Sequence, residues 1–425
     1  MTTDNASPDS RLDALAEPTT SVRALYIATV SIANLAVWAA FFTPLQNLLP
    51  RFAEQVAGDG KVAAMGIIAG VGAVVAVIAN PLAGALSDRT TSPFGRRRPW
   101  VLGGAVVGGL AIAAIPLATS VIVLVLLWGI AQASINTAFA GITASIPDHV
   151  PVRQRGVVSG WVGLSQSVGL VLGIAVVTIL VTALSPGTWA TALLFVVLVL
   201  PFVITYREPR LLPEQRSKVS LGDFFRGFWI SPKAYPDFAW AWLARFLVSL
   251  GSAVAVMYLL YYLTDKLGFD TTAAGERQAT LIIIYTVGIM ITAVLAGKLS
   301  DRSGRRKRFV VISTVIMAVA ALMFALAQEF TLAMIAAAVL GLGYGVYLAV
   351  DQALITQVLP TAGDRARDLG VMNIANSAPQ ALAPVIASSL ILIFGTNPGY
   401  FFVYLAAGLI TLGGALAIRP IRSVP

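Results

Sequence analysis

The feature that most constrains this chain is a recurrence. Between residues 23 and 418 it runs through one long apolar stretch after another, each bounded by a short polar segment. A helix of about 20 apolar residues crosses roughly 30 Å of hydrocarbon. Inside lipid every backbone polar group must be satisfied within its own segment, and a helix does this. The runs place helices over 23–49, 62–86, 100–120, 121–146, 156–184 and 188–206, then over 237–264, 278–299, 308–327, 330–358, 369–394 and 398–418. Twelve transmembrane helices fit best. Eleven or thirteen fit less well, and the boundary between the third and fourth is set only by Leu117-Ala118-Thr119-Ser120. The expected fold class is an all-α membrane protein.

Composition agrees. Residues are 57% hydrophobic and 12% charged, about half the charged share of a soluble domain. A soluble fold of this size could not cover its surface with so few ionic groups. With no cysteine there are no disulfides and no thiolate metal sites. A single histidine, His149, rules out a histidine metal cluster, and no nucleophile–base pair is visible. No G-x-x-x-x-G-K-[ST] loop is present, so energy is expected from a gradient and not from ATP. No metal or other cofactor is expected, and the chain does not read as an enzyme.

The net charge of +9 does not require nucleic acid as a partner, because cytoplasmic loops of membrane proteins accumulate Lys and Arg. With the N-terminus inside, 24 of the 29 basic residues fall on cytoplasmic segments. Four (Arg51, Lys61, Lys266 and Arg277) fall outside, and Arg245 lies within a helix. Both termini are therefore expected in the cytoplasm, with the chain in the inner membrane. Residues 1–20 are polar and lack the basic start and apolar core of a secretory signal. They read as a disordered cytoplasmic tail. Residues 21–206 and 237–418 read as two six-helix bundles, 419–425 as a second tail, and 207–236 as a cytoplasmic linker. Within the linker, 220–229 is either a short interfacial helix or plain connection.

The chain also repeats itself. GALSDR at 84–89, followed by Gly95-Arg96-Arg97-Arg98, returns as GKLSDR at 297–302, followed by Gly304-Arg305-Arg306-Lys307. The second copy stands half a chain after the first. A weaker echo links Pro147…Arg153-Gln154-Arg155-Gly156 with Pro360…Arg365-Ala366-Arg367. Two halves in the same orientation imply parallel repeats with a substrate path between them. Asp88 and Asp301 can meet arginines or helix N-termini at the cytoplasmic mouth, and Gly95 and Gly304 permit tight turns. Gly84, Asp88, Arg89, Gly95, Arg96, Arg97, Gly297, Asp301, Arg302, Gly304, Arg305 and Arg306 are the gating candidates. The alternative for some of the arginines is that they serve topology alone.

On these paired loops the chain resembles the major facilitator superfamily, and the resemblance covers nearly all of it. The longer first copy, Ser87-Asp88-Arg89-Thr90-Thr91-Ser92-Pro93-Phe94-Gly95-Arg96-Arg97-Arg98-Pro99, is similar to the loop of plant sucrose transporters and of the glycoside–pentoside–hexuronide cation symporters. That likeness implies sugar or glycoside substrates coupled to an ion gradient, and a latching role for the loops. The acidic cluster of a sodium–melibiose-type site is absent, since the first six helices carry no Asp, Glu, Lys or Arg within the membrane.

An ionisable side chain at mid-membrane is costly and therefore marks function by default. Two such residues stand out, Arg245 in the seventh helix and Asp351 in the tenth, at about 12 and 10 Å from the cytoplasmic ends of their helices. Their equal depth allows pairing, either as a permanent bridge between helices or as a proton-coupling device in which Asp351 takes and releases a proton. Tyr344 and Tyr347 share the face of Asp351, and Ser249 and Ser252 that of Arg245. Asn34, Trp38, Gln132, Asn136, Trp161, Asn373, Asn376 and Gln380 form further polar and aromatic stripes. They suit a sugar, other polar organic molecules, or simple hydrogen bonding between helices. The expected function is proton-coupled uptake of a sugar or glycoside by a monomer in the bilayer, and the alternative is a proton-antiporting exporter of drugs or secondary metabolites.

Overall fold

The computed structural model describes residues 18–212, 231–303, 306–358 and 365–422. The segment 220–229 and the gating candidates Gly304 and Arg305 lie outside the described residues, as do the side chains of Asp301 and Asn373. All regular structure among the described residues is helical.

The helices are α1 (Ala24–Thr43), α2 (Leu49–Ala57), α3 (Lys61–Asp88), α4 (Arg98–Ala114), α5 (Val121–His149), α6 (Val152–Ala175), α7 (Leu184–Thr205), α8 (Pro236–Met257), α9 (Thr271–Ser303), α10 (Arg306–Leu326), α11 (Phe330–Val358), α12 (Arg365–Phe394) and α13 (Thr396–Ile418). Every one of these except the nine-residue α2 is 17 residues or longer. Among the described residues ten apolar helical stretches are long enough to cross a membrane, and the first, the 65-residue Ala24–Asp88, takes in α1 to α3. Several helices outrun their apolar cores. α9 begins at Thr271, ahead of the run at 278–299, and ends beyond it at Ser303, because helical hydrogen bonding continues into polar sequence wherever nothing breaks it.

Among the described residues π turns interrupt the pattern at Pro44–Leu48, Val176–Leu180 and Tyr262–Lys266. The first starts at a proline, which has no N–H to give to the preceding turn.

The chain forms two compact units. One comprises residues 1–44, 75–118 and 126–221, and the other 45–74, 119–125 and 222–425. In the first, α1 packs on α6 and α7, and α4 on α7. In the second, α11 packs on α9 and α10, and α8 on α12 and α13. Large apolar side chains such as Ile122, Leu180 and Ile393, each 72% exposed, stand on the outer faces. In water this would be a liability, but against acyl chains it costs nothing.

Candidate functional site

In the second unit Arg245 on α8 and Asp351 on α11 form an ion pair, with Nη1 3.4 Å from Oδ2. Both are buried, 7% and 6% exposed. Backbone packing fixes their helices. A Cβ on Gly341 would collide with the Tyr285 carbonyl oxygen, and one on Gly345 would lie 2.5 Å from that of Ile289, so α11 rides directly on α9. A Cβ on Gly251 would lie 2.6 Å from the Ala407 oxygen, which holds α8 against α13. Tyr285, Tyr344 and Tyr347 form a stacked series with centroids 6.1 and 6.0 Å apart, ending one helical turn before Asp351. On α8, Ser249 donates to Asn376 Oδ1 of α12 at 3.3 Å, which brings a third helix to the same region. Gln380, one turn beyond Asn376, is half-buried.

In the first unit the uncharged stripe divides. Asn34 is 1% exposed and its Nδ2 donates to the Val162 carbonyl at 2.9 Å. Gly169 permits that approach, since a Cβ there would lie 2.6 Å from the Leu35 oxygen. The Asn34 Oδ1 is buried without a hydrogen bond. Asn136 donates to Gln132 one turn earlier, and Asn80 of α3 donates to Asn136 at 3.4 Å. Trp38 is stacked on Phe42 at 5.4 Å and meets Phe41 and Phe139 edge-on. Trp161 is 57% exposed and helps line an apolar cavity of about 420 Å³ with Ala24, Ile27, Ala28, Ser31 and Ile32.

The first loop motif forms a charge cluster. Arg97 pairs with Asp88 and, through Nε, with Asp148 Oδ2 at 2.9 Å. Arg96 pairs with Asp148 Oδ1 at 3.0 Å and lies 3.5 Å from Glu208. The Arg97 N–H donates to Glu208 Oε1, and its guanidinium to Ser87 Oγ. Gly95 has φ of 92°, a region that side chains disfavour, and turns the chain so that Arg96 and Arg97 point back to the helix ends. Burial raises the Glu208 carboxyl above its ordinary range against the pull of the Arg97 amide and the two guanidiniums. Burial lowers Arg97, but Asp148 and Asp88 outweigh it and the net shift is upward. Asp88 is half exposed, Arg89 Nε is buried without a hydrogen bond, and a Cβ on Gly84 would meet open space. In the second copy, Gly297 lies within α9, Arg302 is exposed at its end and Arg306 opens α10.

Sequence reasoning missed Asp148 and Glu208. The signal for Asp148 lay beside Pro147 in the weaker repeat, and that for Glu208 in the first acidic residue after the sixth apolar run.

A family model described as MFS/sugar transport protein matches residues 28–393. The chain belongs to the MFS/sugar transport protein family. This MFS protein is thus a multi-pass membrane protein by its family and its apolar helices. It is similar to the proline/betaine transporter of Salmonella typhimurium, 26% identical over 312 residues that make up 68% of this chain and 61% of that protein. It is also similar to the quinolone resistance protein NorA of Staphylococcus aureus, 26% identical over 37% of this chain and 38% of NorA. The matches thus span less than two thirds of either relative. Among solved structures, a mutant of the nucleoside transporter NupG superposes with a TM-score of 0.73 at 15% identity, covering 93% of this chain and 99% of that one. What the two share is the major facilitator fold.

Proposed function

We propose that this transporter carries a sugar or glycoside into the cell together with protons, by alternating access, as in the branch that includes the plant sucrose transporters and glycoside–pentoside–hexuronide symporters. The observation that carries the reading is the buried Arg245–Asp351 pair. A carboxylate in a membrane interior is stabilised by a guanidinium, and when the guanidinium moves away it is neutralised by taking a proton. Pairing, protonation and substrate contact then compete at one carboxylate, and a proton gradient drives accumulation. Tyr344, Tyr347, Asn373, Asn376 and Gln380 offer hydroxyls and amides on the helices of that pair and on α12. Asn34, Trp38, Gln132, Asn136 and Trp161 supply amides and aromatic faces suited to hydroxyls and C–H surfaces of a sugar. The description of the matched family as sugar transport supports this choice of substrate. The chain acts as a monomer with twelve spans and both termini at the cytoplasmic face of the inner membrane, where the Asp88–Arg97–Asp148 cluster latches the inward side.

The test is reconstitution in liposomes with lumenal pH followed during addition of sugars and glycosides. The wild type should take up protons with its sugar. Asp351→Asn should still bind the sugar but not accumulate it against a gradient, and full accumulation by that variant would sink the reading. The aromatic cluster of Trp38, Phe41, Phe42 and Phe139, with the similarity to NorA, supports a second reading as an exporter of apolar drugs. In that case a drug, and no sugar, would move protons, in the opposite direction.

A further inference from the structure

Two of the π turns occupy corresponding places in the repeat. Pro44–Leu48 follows α1, and Tyr262–Lys266 follows α8 by way of Leu259–Tyr261. The step along the chain from Pro44 to Tyr262 nearly equals the step from Gly84 to Gly297 that separates the loop motifs. Each π turn gives one polar side chain to the next long helix after the other, α9 in one case and α3 in the other. Asn47, in the first, donates through Nδ2 to Gln278 Oε1 near the start of α9 at 2.9 Å. Asp265, in the second, accepts from Lys61 Nζ at the start of α3, also at 2.9 Å. The same half-chain step carries Asn47 onto Asp265 and Lys61 to within one position of Gln278. It is one contact made twice at the same half-chain step, once with amides and once with charges. All four residues belong to the same compact unit.

The contacts are secluded and braced. Asn47 and Gln278 are fully buried, and the side chains of Lys61 and Asp265 are 16% and 11% exposed. Lys61 also reaches Glu54 at 2.9 Å, and the Tyr400 hydroxyl donates to the second oxygen of Asp265 at 2.9 Å. Gln278 Nε2 donates to the Gln46 carbonyl at 2.8 Å. Yet Gln46 Oε1 and Asn47 Oδ1 are buried without hydrogen bonds. A joint made for permanence would satisfy such acceptors, since buried polar atoms are almost always paired. Leaving them orphaned lowers the cost of parting. π turns within helices recur at functional sites, where they break the regular hydrogen-bond ladder.

We propose that Asn47–Gln278 and Lys61–Asp265 are the two arms of a clasp that holds shut the end of the transporter remote from the 84–98 loop, and that both arms part once in every transport cycle. This rests on the transport reading, although its test needs no substrate. The 28 residues of α3 run about 42 Å at 1.5 Å per residue, so Lys61 and Asp88 lie at opposite ends of one helix.

The chain has no cysteine, so a single introduced thiol reports without background. Ala53, on α2 and 0% exposed, is the reporter position. Ala53→Cys in lipid nanodiscs is labelled by a membrane-impermeant maleimide, alone and combined with Asn47→Ala or Asp265→Asn, with thermal melting of each protein recorded. The expected result is labelling about tenfold faster when either arm is cut, as the open population rises, with a melting transition retained. Unchanged labelling in both variants overturns the clasp, even for a protein that transports sugar. Faster labelling accompanied by loss of the melting transition overturns it too. If Asp265→Asn does not fold, Asn47→Ala leaves no charge unpaired and decides the question alone. Faster labelling of a folded variant supports the clasp even where no sugar is found to be carried.

Discussion

Cutting the Arg245–Asp351 pair from either side should have unequal consequences. At 3.4 Å, two unit charges attract by about 5 kcal/mol at an effective dielectric constant near 20. Each also gives up hydration to be there, so the net value of the pair is far smaller, whereas removing one partner strands the other at a cost of about 3–5 kcal/mol. Here the two partners differ chemically. A stranded carboxylate discharges itself by taking a proton, but a guanidinium keeps its charge at any accessible pH. Asp351→Asn should therefore destabilise by the full amount at any pH where the wild-type carboxylate is ionised. Arg245→Gln should destabilise less, and progressively less as the pH is lowered. The double variant Arg245→Gln/Asp351→Asn strands nothing and should melt above Asp351→Asn. The assay is the thermal midpoint of detergent-solubilised protein across a pH series for the four proteins. A double variant no more stable than Asp351→Asn, or pH-independent losses of equal size in both single variants, would refute the reasoning.

Two further outcomes follow from the packing and the loop. Gly341→Ala drives a Cβ into the Tyr285 backbone oxygen and should destabilise by about 1–3 kcal/mol through overpacking. Gly84→Ala, facing open space, should stay within about 0.5 kcal/mol of the wild type, and thermal melting compares them. Because burial raises the Glu208 carboxyl above its ordinary value of 4.5, its contribution to stability is present at low pH and is lost as pH rises through the raised value. The wild type should accordingly gain on Glu208→Gln as the pH is taken from about 7 to about 4.5, and a difference in melting temperature that grows the other way would refute the account.

Much of this protein is legible without coordinates because lipid imposes a rule that is local in sequence. A segment that crosses hydrocarbon must be apolar for its whole length and must bond its own backbone, so the runs that appear in the sequence are the helices of the structure. The duplicated loop is equally local, and it alone points to a repeated half. Charge rarity did the same for Arg245 and Asp351, since an ionisable residue in an apolar run needs no alignment to be noticed. Partnership was not legible. Asn34, Gln132 and Asn136 look alike as stripes, and only packing tells that Asn34 is bound to a backbone carbonyl on α6 while Gln132 and Asn136 bond each other on one helix. Asp148 at the end of α5 and Glu208 beyond α7 converge on the arginines of one loop, and Lys61 meets Asp265 from the other half of the chain. The sequence determined which segments must be helices and which charges needed a reason to be buried. The tertiary structure decided who meets whom, because a partner is chosen by the packing of backbones at glycine-thin contacts, and that information is spread across helices far apart in the chain.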